Sequence, residues 1–185
     1  MARKKLVVAG IVAAVLALGA TPTYAVLATS LSSDGPTGVK GTTASAVFEI
    51  GDKTVRQVRY ADRKTLRYTF ELVNDSMLPI KVTGLASPRV MPTLFELSAL
   101  TSDGGKSTFT VGAHDRRTVT LSMLMTACER LSARAGSFIS EIRLHTTSLG
   151  AINRTISVTL PEEVHTGSPR EISCPLATSS SRPPG

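Results

Sequence analysis

The sequence predicts an all-β fold, and the first observation is the stretch from residue 64 to residue 85. In KTLRYTFELVNDSMLPIKVTGL, large apolar residues take every second position from Leu66 to Leu72, and polar residues fill the positions between them. This period of two is that of a strand with one buried and one solvated face. After a polar turn that begins at Asn74, the pattern returns at Ile80 and Val82, which predicts two successive strands.

The second observation is that similar alternation recurs at spacings close to ten residues. The other predicted strands are 46–50, 55–60, 94–100, 107–111, 118–124, 138–145 and 156–160. We expect 94–100 and 107–111 to form a hairpin around Ser102-Asp103-Gly104-Gly105, and the last two strands to form another. The single stretch with a helical composition is 126–136.

About seven to nine short strands with turns between them are typical of a sandwich of antiparallel sheets. The chain has no Trp, and neither Cys lies in the middle of a predicted core strand, so two hallmarks of the immunoglobulin domain proper are absent. We therefore predict an immunoglobulin-like antiparallel β-sandwich, with a jelly roll or a small barrel as the alternatives.

The composition of the 185-residue chain changes along its length, which predicts one domain with flanking segments. Residues 29–45 are rich in Ser, Thr, Gly and Pro, and we expect a flexible spacer there because so few apolar groups cannot offset the entropy of ordering. The sandwich is expected to occupy 46–175. A disordered tail is expected at 176–185, from the composition of its Ser- and Pro-rich end.

The N-terminal segment, residues 1–28, predicts export from the cytoplasm. Arg3-Lys4-Lys5 precedes an apolar run, and the small residues Thr23 and Ala25 fit a signal-peptidase site after Ala25. The apolar pattern resumes up to Ala28, so the same segment is also long enough to span a bilayer as a hydrophobic helix. The protein is thus expected to be either secreted or held in the cell membrane by a single pass with its N-terminus inside.

The formal charge of +7 includes three cations before the apolar run, so 7 − 3 leaves +4 for the rest of the chain. The remaining Lys and Arg are scattered among acidic residues with few aromatic residues between them. This pattern favours a solvated sheet surface over a nucleic-acid-binding patch, and we expect no nucleic-acid partner.

The two cysteines, Cys128 and Cys174, are predicted to form a disulfide, since an even pair in an exported chain is most simply bonded. Closing a loop of 174 − 128 = 46 residues would stabilise the fold by roughly 4 kcal/mol on the chain-entropy model. The competing interpretation is a thiolate ligand or nucleophile. Mass analysis of the alkylated, unreduced protein is expected to find no free thiol, and two alkylated cysteines would contradict the bridge.

The basic, hydrophobic leader, the spacer and the strands Leu66 to Ser76 and Leu78 to Gly84 together resemble uncharacterised membrane-anchored or secreted proteins of actinobacteria. The similarity covers most of residues 45–175 and includes a Cys late in the chain. It implies an extracytoplasmic immunoglobulin-like domain. The family carries no assigned activity, so the resemblance implies no catalytic residue.

Candidate chemistry in the sequence is sparse. The chain contains no Gly-x-Ser-x-Gly, Ser-x-x-Lys or His-Glu-x-x-His motif. His114 stands beside Asp115, which could orient it as a general base, but an exposed turn residue is the simpler interpretation. The adjacent Glu162 and Glu163 would face opposite ways on a strand, and we expect them in a capped turn after Pro161.

A copper site is the other chemistry considered, because Met123, Met125, Cys128 and His114 offer soft ligands close together in sequence. Packing of the methionines in the core is the favoured interpretation. We therefore expect no catalytic, cofactor-binding or metal-binding residue and no enzyme. The predicted function is a non-catalytic binding or structural module at the cell envelope, for an unknown envelope protein or glycan, with an extracytoplasmic copper carrier as the alternative.

Asn74 and Asn153 each begin an Asn-x-Ser/Thr triplet, the acceptor for N-glycosylation in a eukaryotic secreted protein. Chance matches are favoured in a chain so rich in Ser and Thr. Asn74 is equally explained as a turn residue whose side chain bonds its own backbone.

Overall fold

The computed structural model describes residues 30–59, 61, 63–89, 95–125 and 137–166. Within these ranges the chain forms strands and connections without a helix. The strands are β1 (Leu31–Lys40), β2 (Ser45–Ile50), β3 (Lys53–Val58), β4 (Thr65–Asn74), β5 (Ile80–Leu85), β6 (Glu96–Ser102), β7 (Phe109–Val111), β8 (Asp115–Leu124), β9 (Phe138–Ser148) and β10 (Ile152–Thr166).

The strands form two sheets, which confirms the all-β, immunoglobulin-like sandwich class. One sheet has four strands in the order β1-β4-β8-β6, and the other has six in the order β2-β3-β10-β9-β5-β7. The ten described strands exceed the seven to nine that were predicted. One pair, β3 with β10, is parallel, so the sandwich is not wholly antiparallel.

The centre of the core is β4, as the alternation predicts. Leu66, Tyr68, Phe70 and Leu72 are each 0% exposed, while Arg67 between them is exposed. On the neighbouring strand β8, Val119, Leu121 and Met123 fill the same layer. Burial of a large apolar side chain stabilises the fold by about 1.5 to 3 kcal/mol, so each of these side chains contributes substantially to the stability of the core.

The predicted hairpin of 94–100 with 107–111 is wrong. Strand β6 pairs with β8 in the four-stranded sheet, and β7 pairs with β5 in the six-stranded sheet. The turn from Ser102 to Lys106 is present, with the Ser102 amide donating to the Lys106 carbonyl at 3.0 Å. It carries the chain from one sheet to the other. The predicted hairpin of β9 with β10 is confirmed.

The predicted spacer over 29–45 is wrong for Leu31–Lys40, which is strand β1. It pairs antiparallel with β4 from Leu31 opposite Asn74 to Lys40 opposite Arg67. Its composition is polar, but β4 supplies the apolar surface, and Leu31 and Val39 are sufficient to join the core. The sandwich therefore begins at residue 31 rather than 46.

The last strand extends farther than predicted. Glu162 and Glu163 lie within β10, not in a turn, and they face opposite sides of the sheet as adjacent strand residues must. The register of β10 with β9 shifts between Thr159 and Val164, a bulge that accommodates Pro161.

Several predictions fall outside the described residues: the leader (1–28), the helical stretch (126–136), the tail (176–185) and both cysteines, Cys128 and Cys174. The disulfide, the export segment and the tail therefore stay predictions. In the part of the chain that the structure describes, no helix is long and apolar enough to cross a membrane.

Candidate binding surface

A polar cluster joins the two sheets beneath the end of the six-stranded sheet at which β2 and β3 lie. Glu162 on β10 binds Arg56 on β3 through two parallel contacts, from Nε to Oε2 at 2.5 Å and from Nη2 to Oε1 at 2.9 Å. From the four-stranded sheet, Thr37 donates to Oε1 at 2.8 Å and the Tyr68 hydroxyl donates to Oε2 at 3.3 Å. The side chains of Arg56 and Glu162 are only 12% and 8% exposed.

The protonation states follow from this geometry. Burial raises the pKa of Glu162, but the hydrogen bonds from Arg56 and Thr37 and the Arg56 charge outweigh it, so the pKa lies below its usual value. Burial, together with the Glu162 carboxylate, raises the pKa of the Tyr68 hydroxyl, which stays neutral and donates. Both carboxylate oxygens are saturated with donors. The cluster therefore fixes β3 against the core, and with it β2.

The opposite face of the same strands is solvent-facing, and we call part of it the outer patch. The register places Phe48, Val55 and Glu163 in one row across β2, β3 and β10. The next row holds Ala46, Gln57, His165 and Phe138 across β2, β3, β10 and β9. The outer patch consists of these seven residues together with Ile50 and Lys53, which pair at the end of the β2–β3 hairpin.

Apolar side chains are exposed on the outer patch. Phe48 is 51% exposed, Ile50 is 62% and Phe138 is 57%. Val55, between them, is buried although it is not part of the core cluster, since it lies on the outer face among its neighbours. Apolar side chains left in water on a rigid sheet are the usual mark of an interaction surface when they are contiguous.

A row of hydrogen-bonded polar side chains crosses the middle of the outer patch. Lys53 Nζ lies 2.5 Å from Glu163 Oε1, and His165 Nε2 lies 3.1 Å from Glu163 Oε2. The hydrogen bond from Lys53, followed by that from His165, lowers the pKa of Glu163. The His165 ring in turn stacks on Phe138, with ring centroids 5.2 Å apart and planes at 25°. The outer patch thus combines apolar contact area with oriented polar groups, as binding surfaces do.

Of the residues considered for copper, Cys128 lies outside the described residues, and the other three are not brought together. Met123 and Met125 are both fully buried in the core, which confirms the expected packing for Met123 and shows that Met125 points inward as well. His114 lies in the turn before β8, with its amide donating to the Ser76 carbonyl. Nine residues of extended chain, roughly 30 Å, separate His114 from Met123. Among the described residues, no group of three His, Cys, Asp or Glu side chains could hold a metal ion.

Asn74, predicted as a turn residue, is a buried link at the corner between β4 and β5. Its Nδ2 shares its protons among the carbonyls of Leu78, Val111 and Gly112, at 2.8, 3.2 and 2.7 Å. Its Oδ1 accepts from the Ser76 amide and hydroxyl. A glycan on Nδ2 is incompatible with this fold, whereas Asn153 is exposed on β10.

Sequence reasoning missed the Arg56–Glu162 pair and the outer patch. Arg56 and Glu162 are 106 residues apart, and their contact depends on the parallel β3–β10 pairing, which no local pattern signals. The alternation of Ala46, Phe48 and Ile50 did predict β2, and their shared face was readable. The exposure of that face was not, because it depends on which face of the six-stranded sheet packs on the four-stranded sheet.

Comparisons with known proteins add little to this geometry. No protein-family model matches the chain, and no curated protein is similar to it. One solved structure to which it is similar is the cupredoxin domain of amoB from Nitrosocaldus yellowstonii, with a TM-score of 0.28 and 10% sequence identity. The similarity covers 52% of this chain and 55% of that chain, so the chain spans about half of the structure that it matches. A likeness this distant assigns neither a metal site nor a function.

Proposed function

We propose that the chain is a non-catalytic binding or structural module that acts outside the cytoplasm at the cell envelope. The outer patch would be its working surface, and its partner would be an envelope protein or a glycan. The observation that carries this proposal is the concentration of exposed large apolar residues on one face: Phe48, Ile50 and Phe138 in the outer patch are three of the six found among the described residues.

The chemistry of the outer patch suits recognition. Phe48, Ile50 and Phe138 offer apolar and aromatic area, which contributes most of the free energy at binding hot spots. Lys53 and Glu163 offer charges and the His165 ring offers a polar nitrogen, and all three are already oriented by one another, so a partner does not have to order them. The ion-paired cluster beneath the sheet holds β3 in place, which makes the surface rigid before a partner arrives.

The proposed compartment rests on the leader sequence. Arg3-Lys4-Lys5 followed by the apolar run to Ala28 directs the following chain across a membrane, whether or not it is cut after Ala25. N-terminal sequencing of the protein from its own cells distinguishes the two outcomes. A first residue of Val26 means a secreted protein, and an intact leader means a membrane anchor.

The binding proposal is tested by capture from envelope extract with the full chain as bait. We expect Phe48→Ser and Phe138→Ser to abolish capture of the partner that the wild type retains. The matched control is Met77→Ser, which removes a still more exposed apolar side chain that lies outside the outer patch, and it should capture as the wild type does. Equal capture by all variants would contradict the proposed surface.

A further inference from the structure

We infer that β2 is the docking edge for a second copy of this chain, whose own β2 adds antiparallel to it and joins the two six-stranded sheets into one. The inference deepens the proposed function and rests on it, because both assign binding to the end of the six-stranded sheet at which β2 lies. Four observations carry it: a free backbone edge, the contrast with the other edges, exposure on both faces and a self-complementary sequence.

In the part of the chain that the structure describes, one side of the β2 backbone has no strand beside it. The Arg59 amide donates to the Ala44 carbonyl at 3.0 Å, which fixes the phase of the β2–β3 ladder. In an antiparallel pair alternate residues bond to the partner, so Ala46, Phe48 and Ile50 point their amides and carbonyls at β3. The amides and carbonyls of Ser45, Val47 and Glu49 therefore point outward, six polar groups in a row.

The other described sheet edges are protected against such pairing and β2 is not. Strand β1 contains Pro36, is interrupted by a register shift and packs its bulge against β10 through Thr37. Strand β6 has a register shift between Leu97 and Ala99, and β7 is only three residues long. Strand β2 runs six residues in unbroken register without Pro or Lys. Bulges, short length, Pro and Lys are the features by which sheets avoid edge pairing.

Both faces of β2 are exposed. Ala46, Phe48 and Ile50 lie on the outer face, and Val47 lies on the inner face beyond the reach of β1, where it is 46% exposed. An added strand would place side chains beside the apolar residues on both faces at once. A single face could be covered by any flat partner, but an edge with exposed apolar residues on both faces fits another strand.

The sequence of β2 is complementary to itself about Val47. With the two-fold axis at Val47, Ser45 stands opposite Glu49 of the second copy. The six outward groups of one copy then pair with the six of the other, which gives six hydrogen bonds. On the outer face Phe48 stands opposite Ala46, a large residue against a small one. On the inner face the Ser45 hydroxyl already accepts from Arg56 at 3.2 Å, so its proton can be donated to the glutamate of the second copy.

Two neighbouring registers that also have a two-fold axis are less complementary. An axis at Phe48 sets Phe48 against itself and leaves Ser45 opposite the Gly51 turn. An axis at Ala46 pairs only four of the six outward groups. Because directly opposite residues of an antiparallel pair lie about 4.5 to 5.5 Å apart at Cα, the axis position decides which cysteine can bridge to itself.

The first test is oxidation of Val47→Cys in the full chain, in mild detergent and at low concentration. We expect a covalent dimer whose peptide map shows residue 47 joined to residue 47. The matched control is Thr110→Cys on the edge strand β7, which should not cross-link above the wild-type background. A bridge that forms at Phe48→Cys instead, equal cross-linking of Thr110→Cys, or no bridge at residue 47 would overturn the inference.

The second test needs no cysteine. By light scattering the wild type is expected to be a dimer, and Val47→Lys is expected to raise the dimer Kd at least tenfold, since like charges would face each other across the axis. Val47→Pro should act similarly without disturbing the β2–β3 ladder, because the Val47 amide points away from β3. Thr110→Lys should leave the dimer intact. A monomeric wild type contradicts the docking edge, whereas loss of partner capture in Phe138→Ser would still support the outer patch.

Discussion

Phe70→Ala is expected to lower the free energy of unfolding by about 3 to 5 kcal/mol, because truncating a fully buried Phe removes its burial and leaves a cavity. The ring stacks on Tyr68 with centroids 5.6 Å apart, and it lies opposite Val119 in the central strand pair β4–β8. The neighbouring side chains in the core cannot fill this cavity unless the two sheets shift. Denaturant unfolding of the full chain measures the loss.

The matched control for Phe70→Ala is Arg67→Ala on the same strand. Arg67 faces solvent, so its truncation should cost less than about 1 kcal/mol. Equal losses in the two variants would mean that the strand faces are exchanged, since a register error of one residue moves every side chain to the other face.

Glu162→Ala is expected to be the other strongly destabilising substitution, by about 3 to 5 kcal/mol, because it leaves the Arg56 guanidinium buried without its counter-charge. The adjacent residue offers a matched control. Glu163 pairs with Lys53 on the outer face, where Lys53 is 60% exposed, and such pairs contribute about 0 to 1 kcal/mol. A loss for Glu163→Ala as large as that for Glu162→Ala would contradict the assigned roles.

The pH dependence of stability follows from the same pair. The pKa of Glu162 in the folded chain lies below its usual value of 4.5, so the folded state favours the carboxylate. Its stabilising contribution is therefore full above pH 4.5 and is lost as the pH falls through the folded pKa. We expect the difference in unfolding free energy between the wild type and Glu162→Gln to shrink as the pH is lowered from 7 to 3. A constant difference would contradict the lowered pKa.

The sequence predicts those features of the fold that neighbouring residues determine, and it misses those that depend on the pairing of distant strands. The faces of β4 follow from Leu66, Tyr68, Phe70 and Leu72 alone, because one buried side and one wet side impose a period of two. Strand β1 was missed because its stability comes from pairing with β4, not from its own side chains. The sheet change between β6 and β7 was missed because a turn signal specifies a reversal but not the strands that flank it.

The candidate surface was less predictable than the core. The alternation in Ala46, Phe48 and Ile50 indicates a shared face, yet the same pattern in β4 marks burial. The difference arises at long range, since these β2 residues lie on the face of the six-stranded sheet that points away from the four-stranded sheet. Phe138 joins the outer patch only through the β9–β10 and β10–β3 pairings.

The central claim, that the outer patch is the working surface, is tested most directly by hydroxyl-radical footprinting of the protein in its native envelope and after purification. Modification of Phe48 and Phe138 should fall in the envelope, while Met77 and Leu149, which are exposed outside the outer patch, should be modified equally in both states. Phe138 lies three strands from the β2 edge, so its protection reports a partner on the face and not the second copy. Unchanged modification of Phe138, or protection confined to Met77 and Leu149, would contradict the account.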